Sequence, residues 1–398
     1  MKSICLYLQI HQPYRVKRYG LFDIGHDHDY FNDAGEGDLN NSRILRKVAD
    51  KSYRPTAELL LALLERHPEF KVSLSFSGIV LEQLALHAPE ALDLFKRMVA
   101  TGRVEILAET YYHSLAFFYS RAEFERQVAK HADLVHRLFG ATPRVFRNTE
   151  LSYRNDLGAW ADEQGYTGII TEGWDPVLGW RSPNYIYRPQ GTQNVRLLLK
   201  NYRLSDDVAF RFSSRSWAGW PLTTEKFGQW VAEAPGDTVN LFMDYETFGE
   251  HQWEDTGIFN FLEHLPAELF KNPSLDFKTP SEVIATYEAR DEVDVPHILT
   301  WADTDRDLTA WVGNDLQRSA IDAVYRLEPA VLAANDVGIT EDWRRLQTSD
   351  HFYYMCTKWF ADGDVHAYFS PYASPYDAFN TYMHAYKDLE WRLRTLAP

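Results

Sequence analysis

The first two-thirds of the chain alternates short β-rich runs with longer runs of helical spacing, and this restricts the fold more than any other feature. "SICLYLQI" (3–10), "FKVSLSFSG" (70–78), "RVEILAET" (103–110), "PRVFRNTE" (143–150), "TGIITEG" (167–173) and "TVNLFMD" (238–244) read as strands. Segments 56–69, 80–102, 120–140, 154–166 and 223–236 read as helices. Pro89 is positioned to break the second of these, and Ser120, Glu123 and Gly140 are placed as N-cap, capping-box partner and C-terminal stop of the third. "YIYRP" and "VRLLLKN" suggest an inserted hairpin near 185–201. Strand-then-helix alternation predicts an α/β fold of parallel strands joined by crossover helices. After about residue 305 the pattern becomes wholly helical, with three long helices expected; the last begins at Ser374-Pro375. The expected division is therefore 1–305, a catalytic α/β domain, and 306–398, a helical domain packed on it.

Parallel strands bring their C-terminal ends to one face, and here those ends carry polar residues. The first ends at His11-Gln12-Pro13, and the third at Glu109 with His113 just beyond. Others end at Asn148-Thr149-Glu150, at Glu172-Gly173-Trp174 and at Asp244-Tyr245-Glu246, with His251 following. Two carboxylates in one cleft, surrounded by aromatics and without a nucleophilic Ser or Cys motif, fit glycoside hydrolysis, in which one carboxylate attacks and a protonated one donates. The competing structural reading pairs Glu150 and Asp244 with Arg147, Arg154 or another base.

Composition narrows the ligand. Net charge is −16 with no Lys/Arg cluster, which argues against nucleic acid. Aromatic residues make up 15%, high for a soluble protein, which fits either a well-filled core or a ligand site that stacks on the flat faces of sugar rings. Cys5 and Cys356 are the only cysteines and form no CxxC, no apolar stretch is long enough to span a bilayer, and Met1 leads straight into a strand; a cytoplasmic protein without cofactor is expected.

"HQP" (11–13), "FSGIVLEQL" (76–84), "FRNTELSY" (146–153), "FMDYETFGEHQ" (242–252) and "DLTAWVGN" (307–314) occur in this order. Together they resemble the five signature regions of glycoside hydrolase family 57, most closely its α-amylase branch, which "DGDVHAYFSPYASPYDAF" (362–379) also resembles. The resemblance implies an incomplete seven-stranded (β/α) barrel followed by a C-terminal α-helical domain, acting on α-glucans with retention of configuration. It implies Glu150 as nucleophile and Asp244 as acid/base. It places His11, Glu246, His251, Asp307 and Trp311 around the bond being cut, and Glu109, His113 and Trp174 join them as strand-end candidates. Transferase or branching activity belongs to the same family. Two other readings compete. A metal-dependent deacetylase could draw ligands from "GHDHDYFNDAGEGD" (25–38), although this segment reads better as a loop at the cleft mouth and no metal is expected. A non-catalytic α-glucan-binding protein would share the aromatics without turnover. Oligomeric state is left open.

Overall fold

A computed structural model describes residues 1–35, 37–358 and 369–396. Ten strands occur in it: β1 (Lys2–Ile10), β2 (Val72–Phe76), β3 (Val104–Ile106), β4 (Val145–Arg147), β5 (Gly168–Glu172), β6 (Arg188–Pro189), β7 (Arg196–Lys200), β8 (Thr238–Asp244), β9 (Leu275–Phe277) and β10 (Glu292–Val293). One sheet runs β3-β2-β1-β8, with β9 also on β1; a second runs β4-β5-β7; β10 and β6 form a third. Every named strand pair is parallel. The two larger sheets meet at both margins. A parallel bridge joins Ala108 to Phe146. At the other margin the Asn201 N–H donates to the Asn240 carbonyl (2.9 Å) and Asn240 Nδ2 donates to the Leu199 carbonyl (2.8 Å).

The strands are apolar on both faces, as parallel strands covered by crossover helices must be. Along β1 the pleat sends Ile4, Leu6, Leu8 and Ile10 into the cluster shared with the helices Arg54–Arg66, Gly78–His87 and Pro89–Ala100. Cys5 and Tyr7 point the other way, into a small cluster with Val145 of β4, Ile170 of β5, Leu198 of β7 and Phe242 of β8.

Several local expectations meet their physical cause. The segment 80–102 is two helices, broken at Ala88 with Pro89 opening the second. The helix Arg121–Phe139 is capped by the Ser120 hydroxyl, which accepts from the Glu123 N–H, and ends at Gly140 with φ +65°. Glu123 closes no capping box; its buried carboxylate accepts from Arg126 and Arg344 instead. The hairpin near 185–201 shrinks to one antiparallel bridge, Tyr187 to Leu197, because β7 is taken up by β5 as a parallel strand.

Beyond residue 305 the long helices are subdivided. The first is Thr309–Val312, Asp315–Arg326 and Glu328–Ala334; Pro329 opens the third piece. The second is Val337–Arg345 and Ser349–Tyr353, and its expected continuation through 359–363 lies outside the described residues. Most of the "DGDVHAYF" part of the C-terminal signature lies outside them too. The helix Pro375–Leu396 forms as expected, with the Asp377 N–H donating to Ser374 Oγ (3.1 Å). These helices share a continuous core with the β4-β5-β7 half: Trp311, Ile321, Val324, Trp343 and Leu389 sit in one cluster with Phe146, Trp160 and Leu197.

Candidate active site

Two residues beyond six members of the small inner cluster, the chain returns to the same face one layer nearer the strand ends. That layer is polar: Gln9 after Tyr7, Glu109 after Leu107, Arg147 after Val145, Glu172 after Ile170, Lys200 after Leu198 and Asp244 after Phe242. Gln9 and Asp244 are direct partners across β1 and β8. Arg147 is fully buried and donates to Gln9 Oε1 and to Glu109 Oε2 (3.3 Å). Lys200 Nζ donates to Asp206 Oδ1 at 3.0 Å and lies 3.7 Å from Glu172 Oε2, which Arg306 also approaches to 3.3 Å. Burial raises the Glu172 pKa, against the pull of Lys200 and Arg306.

Above this floor the loops place Glu150. It follows β4 in a tight turn with φ +60° and ψ +27°, and Leu151 beside it has φ +51°. Non-glycine residues are rarely held in this left-handed region, and the cost is of order 1–3 kcal/mol each. Four groups hold the turn. His113 Nε2 lies 3.1 Å from Glu150 Oε1, and Ser349 Oγ donates to the same oxygen (3.1 Å). Trp301 Nε1 donates to Oε2 (2.9 Å), while the Trp301 N–H donates to the Glu150 carbonyl (3.2 Å). His113, itself at φ +52°, lies between Glu150 and Glu109, with Nδ1 3.6 Å from Glu109 Oε2. Burial opposes its charge, yet the two carboxylates prevail and lift its pKa to about 9. Burial likewise pushes the Glu150 carboxyl up, but the His113 hydrogen bond and the His113 and Arg147 charges outweigh it, and the net shift is downward.

Asp244 is the opposite case. Burial raises its pKa most, against the pull of His251; the Glu150 charge adds to the rise, Arg147 and Lys200 oppose it, and the net shift is upward. Among the described residues no hydrogen bond or ion pair reaches its carboxylate. Of the bases that could pair with the two carboxylates, Arg147 goes to Glu109 and Arg154 to Asp156 (2.5 Å), while His113 does pair with Glu150 (3.1 Å); Asp244 alone has no ionic partner among the described residues. Glu246, two residues on, is buried and accepts from the Tyr53 hydroxyl. Burial and the neighbouring Asp244 charge raise its pKa to about 8. Asp244 and Glu246 therefore form a coupled pair that retains a proton near neutrality, and the proton belongs to the pair.

His11 stacks on His113 with ring centroids 3.8 Å apart. Burial and the His113 charge lower its pKa, against the pull of Asp350; its Nε2 lies 2.9 Å from Asp350 Oδ2 and its Nδ1 2.7 Å from Ser77 Oγ. His11, His113 and Asp350 could converge on a cation, with ligand atoms within 4.8 Å of one another, but their polar atoms already satisfy the hydrogen bonds given above. His251 is half-buried near Asp244, and its pKa is lowered by burial.

The remaining candidates are scattered. Glu109 is fully buried under the site, its pKa pushed up by burial but brought down overall by His113 and Arg147. Trp311 is 1% exposed in the helical core. Asp307 accepts from the Thr309 N–H (2.8 Å), and its carbonyl accepts from Thr300 Oγ1 (2.8 Å). Trp174 is half-buried and opens the short helix Asp175–Leu178. In the 25–38 loop, His28 Nδ1 lies 2.8 Å from Asp388 and Asp27 pairs with Lys17 (2.8 Å), while the Asp29 and Asp33 carboxylates accept from Asn32 and Gly35 of the loop itself. Sequence reasoning missed Gln9, Arg147, Lys200, Trp301, Ser349 and Asp350. The first three were legible as period-two partners of the buried strand residues; Trp301 comes from a loop, and Ser349 and Asp350 from the first turn of the helix Ser349–Tyr353, whose placement against the strand ends no local pattern announces.

Parallel strand ends that present two carboxylates suit the cleavage of a sugar linkage, and comparison with known proteins gives the family. The Glycosyl hydrolase family 57 profile matches residues 5–296. The chain is 40% identical over 399 residues to a Methanocaldococcus jannaschii protein named "Putative alpha-amylase", covering 98% of this chain and 84% of that one. A 4-alpha-glucanotransferase of Thermococcus litoralis is 22% identical over 259 residues, and the match spans 64% of this chain but only 38% of that enzyme. The crystal structure of a branching enzyme from Thermococcus kodakaraensis superposes with TM-score 0.69 at 12% identity, over 92% of this chain and 87% of that one, a likeness of fold. The chain is a glycoside hydrolase. It belongs to family 57 and is alpha-amylase-like. No described helix is long and apolar enough to cross a membrane.

Proposed function

We propose that this chain hydrolyses α-1,4-glucosidic bonds of starch, glycogen or maltooligosaccharides by double displacement, with Glu150 as nucleophile and Asp244 as acid/base. The observation that carries this reading is the electrostatic asymmetry of the two carboxylates. Glu150 is held as an anion by the His113 hydrogen bond, while Asp244 is pushed toward its protonated form by burial and by the Glu150 charge. Glu150 attacks the anomeric carbon, forming the carbon–oxygen bond as the glycosidic bond breaks, and the proton held at Asp244 passes to the departing oxygen. Water then enters, gives its proton back to Asp244 and releases the sugar with its original configuration. Glu246 shares the proton of the Asp244 pair, and His11 and His251 are assigned to sugar hydroxyls around the cleaved bond. Glu109, His113, Asp307, Trp311 and Trp174 support this arrangement or outlying subsites.

The barrel reading belongs here as well. It is supported by the order β1-β2-β3-β4-β5-β7-β8, bridged at Ala108–Phe146 and tied at Asn201–Asn240, and by the inner cluster to which five of these strands contribute. The helical part from residue 306 is read as a second domain that completes the site through Ser349 and Asp350.

Transfer to a second glucan in place of water is the alternative that the names of two relatives favour. Product analysis on maltooligosaccharides separates them, since disproportionation makes chains longer than the starting one and hydrolysis does not. Glu150→Gln is expected to lower turnover by at least about 10³-fold while sparing binding. Asp244→Asn is expected to cost about 10²–10⁴-fold on maltooligosaccharides and far less on aryl glycosides whose leaving group needs no proton. Equal sensitivity of the two variants to leaving-group pKa would remove the distinction between their roles.

A further inference from the structure

We propose that the cleft beside Trp253 is an outlying binding site for the glucan chain, a deepening of the function proposed above that rests on that reading. The cleft has a volume of about 960 Å³, within the range of ligand pockets. One wall is the loop that follows β8, with Trp253, Glu254 and Asp255; another is the π-helical turn Ala49–Tyr53, with Lys51; Phe259 of the helix Ile258–Leu269 closes it. The β8 loop starts at a strand C-terminus, so the cleft adjoins the face that carries Asp244. The connection is physical, since the Tyr53 hydroxyl, two residues from Lys51, donates to Glu246.

The walls are prebuilt. Gly249 has φ +105°, and a Cβ there would stand 2.0 Å from the Lys51 carbonyl, so the β8 loop lies directly on the turn. Gln252 Nε2 donates to the Ala209 carbonyl (2.9 Å), and Thr56 Oγ1 donates to the Phe248 carbonyl (3.2 Å). On this rigid loop Trp253 is 55% exposed; Lys51 Nζ stands 5.0 Å from its ring centroid, and the indole surface that Lys51 does not cover is left in water unless something else covers it.

Charge selects the occupant. The lining carries four carboxylates (Asp50, Glu254, Asp255, Glu263) and one ammonium, Lys51, which rules against phosphates and other anions. A basic peptide is disfavoured because Asp50 and Glu263 are already paired with Arg54 and Arg66. Among the described residues, the carboxylates of Glu254 and Asp255 have no hydrogen-bond or ion-pair partner. Indole surface next to free acceptor oxygens matches a neutral ligand with an apolar ring face and a hydroxyl edge, which is a glucose oligomer.

The test uses the full chain. Trp253→Ala is expected to lower kcat/KM on soluble amylose about tenfold, through KM, and to leave maltotriose turnover unchanged; Trp253→Phe, which keeps a ring, is expected to fall between. In a Glu150→Gln background, calorimetric titration with maltoheptaose is expected to lose one binding phase on Trp253→Ala. Equal losses on amylose and maltotriose, or no loss on amylose, overturn the proposal. So does an unchanged titration, or one in which oligolysine replaces maltoheptaose as the ligand lost with Trp253. If the wild type turns over neither glucan, the proposed function fails separately, and the titration alone decides the site: a phase lost with Trp253 supports it and an unchanged one overturns it.

Discussion

His113 holds the pKa of Glu150 down, and the charge of Asp244 helps to hold that of Glu246 up. Both work through burial, which makes each neighbouring charge felt more strongly than it would be in water. Glu246 has a pKa raised to about 8 by burial and by the Asp244 charge, so the pair keeps its last proton to about that pH. The basic limb of the kcat/KM profile is therefore expected near pH 8. In Glu246→Gln the neighbouring negative charge is gone, Asp244 alone holds the proton less tightly, and the basic limb moves to lower pH. A limb that stays in place would show that the pair does not supply the acid. The role of Asp244 was suggested by its motif, but its partnership with Glu246 depends on Tyr53 and on the burial of both side chains, which no spacing in "MDYETFGEH" reveals.

At the scale of elements, strands were the most legible part of the chain. Apolar runs bounded by Gly, Pro and polar residues located β1, β2, β5 and β8, and Pro89 marked a real break. Period-two alternation further locates Gln9, Arg147 and Lys200, once the buried face is known. What local pattern missed was set by tertiary partners. The 185–201 hairpin gave way because β7 gains a full parallel ladder with β5, and Glu123 left its capping box for two arginines. That carboxylate is fully buried and joins the helix Arg121–Phe139 to the helix Val337–Arg345 through Arg344 (2.8 Å). Glu123→Ala is expected to destabilise the protein by about 3 kcal/mol in urea unfolding, because it strands a half-buried guanidinium. A change within about 0.5 kcal/mol would mean that the two helices dock without this pair.

For the whole molecule, the C-terminal helices are part of the site as well as of the core. Ser349 and Asp350 reach Glu150 and His11 from a segment about two hundred residues beyond the strand that carries Glu150. Burial would raise the Asp350 pKa, but the charge and hydrogen bond of His11, and then the charge of His113, hold it well below the usual carboxylate range. A depressed native pKa contributes stability that is complete above the unfolded value of about 3.9 and is lost as pH falls below it. Asp350→Asn is accordingly expected to flatten the acid side of the stability curve below about pH 4, as measured by unfolding at a series of pH values; an unchanged slope would mean that Asp350 is not coupled to the fold. The account as a whole rests on Glu150 attacking the sugar, and a fluorinated α-glucosyl fluoride tests this most directly by trapping the intermediate for peptide mass spectrometry. The label is predicted on the peptide containing Glu150, at that residue, in the wild type and absent in Glu150→Gln; a label on another carboxylate, or turnover with inverted product and no label, would contradict it.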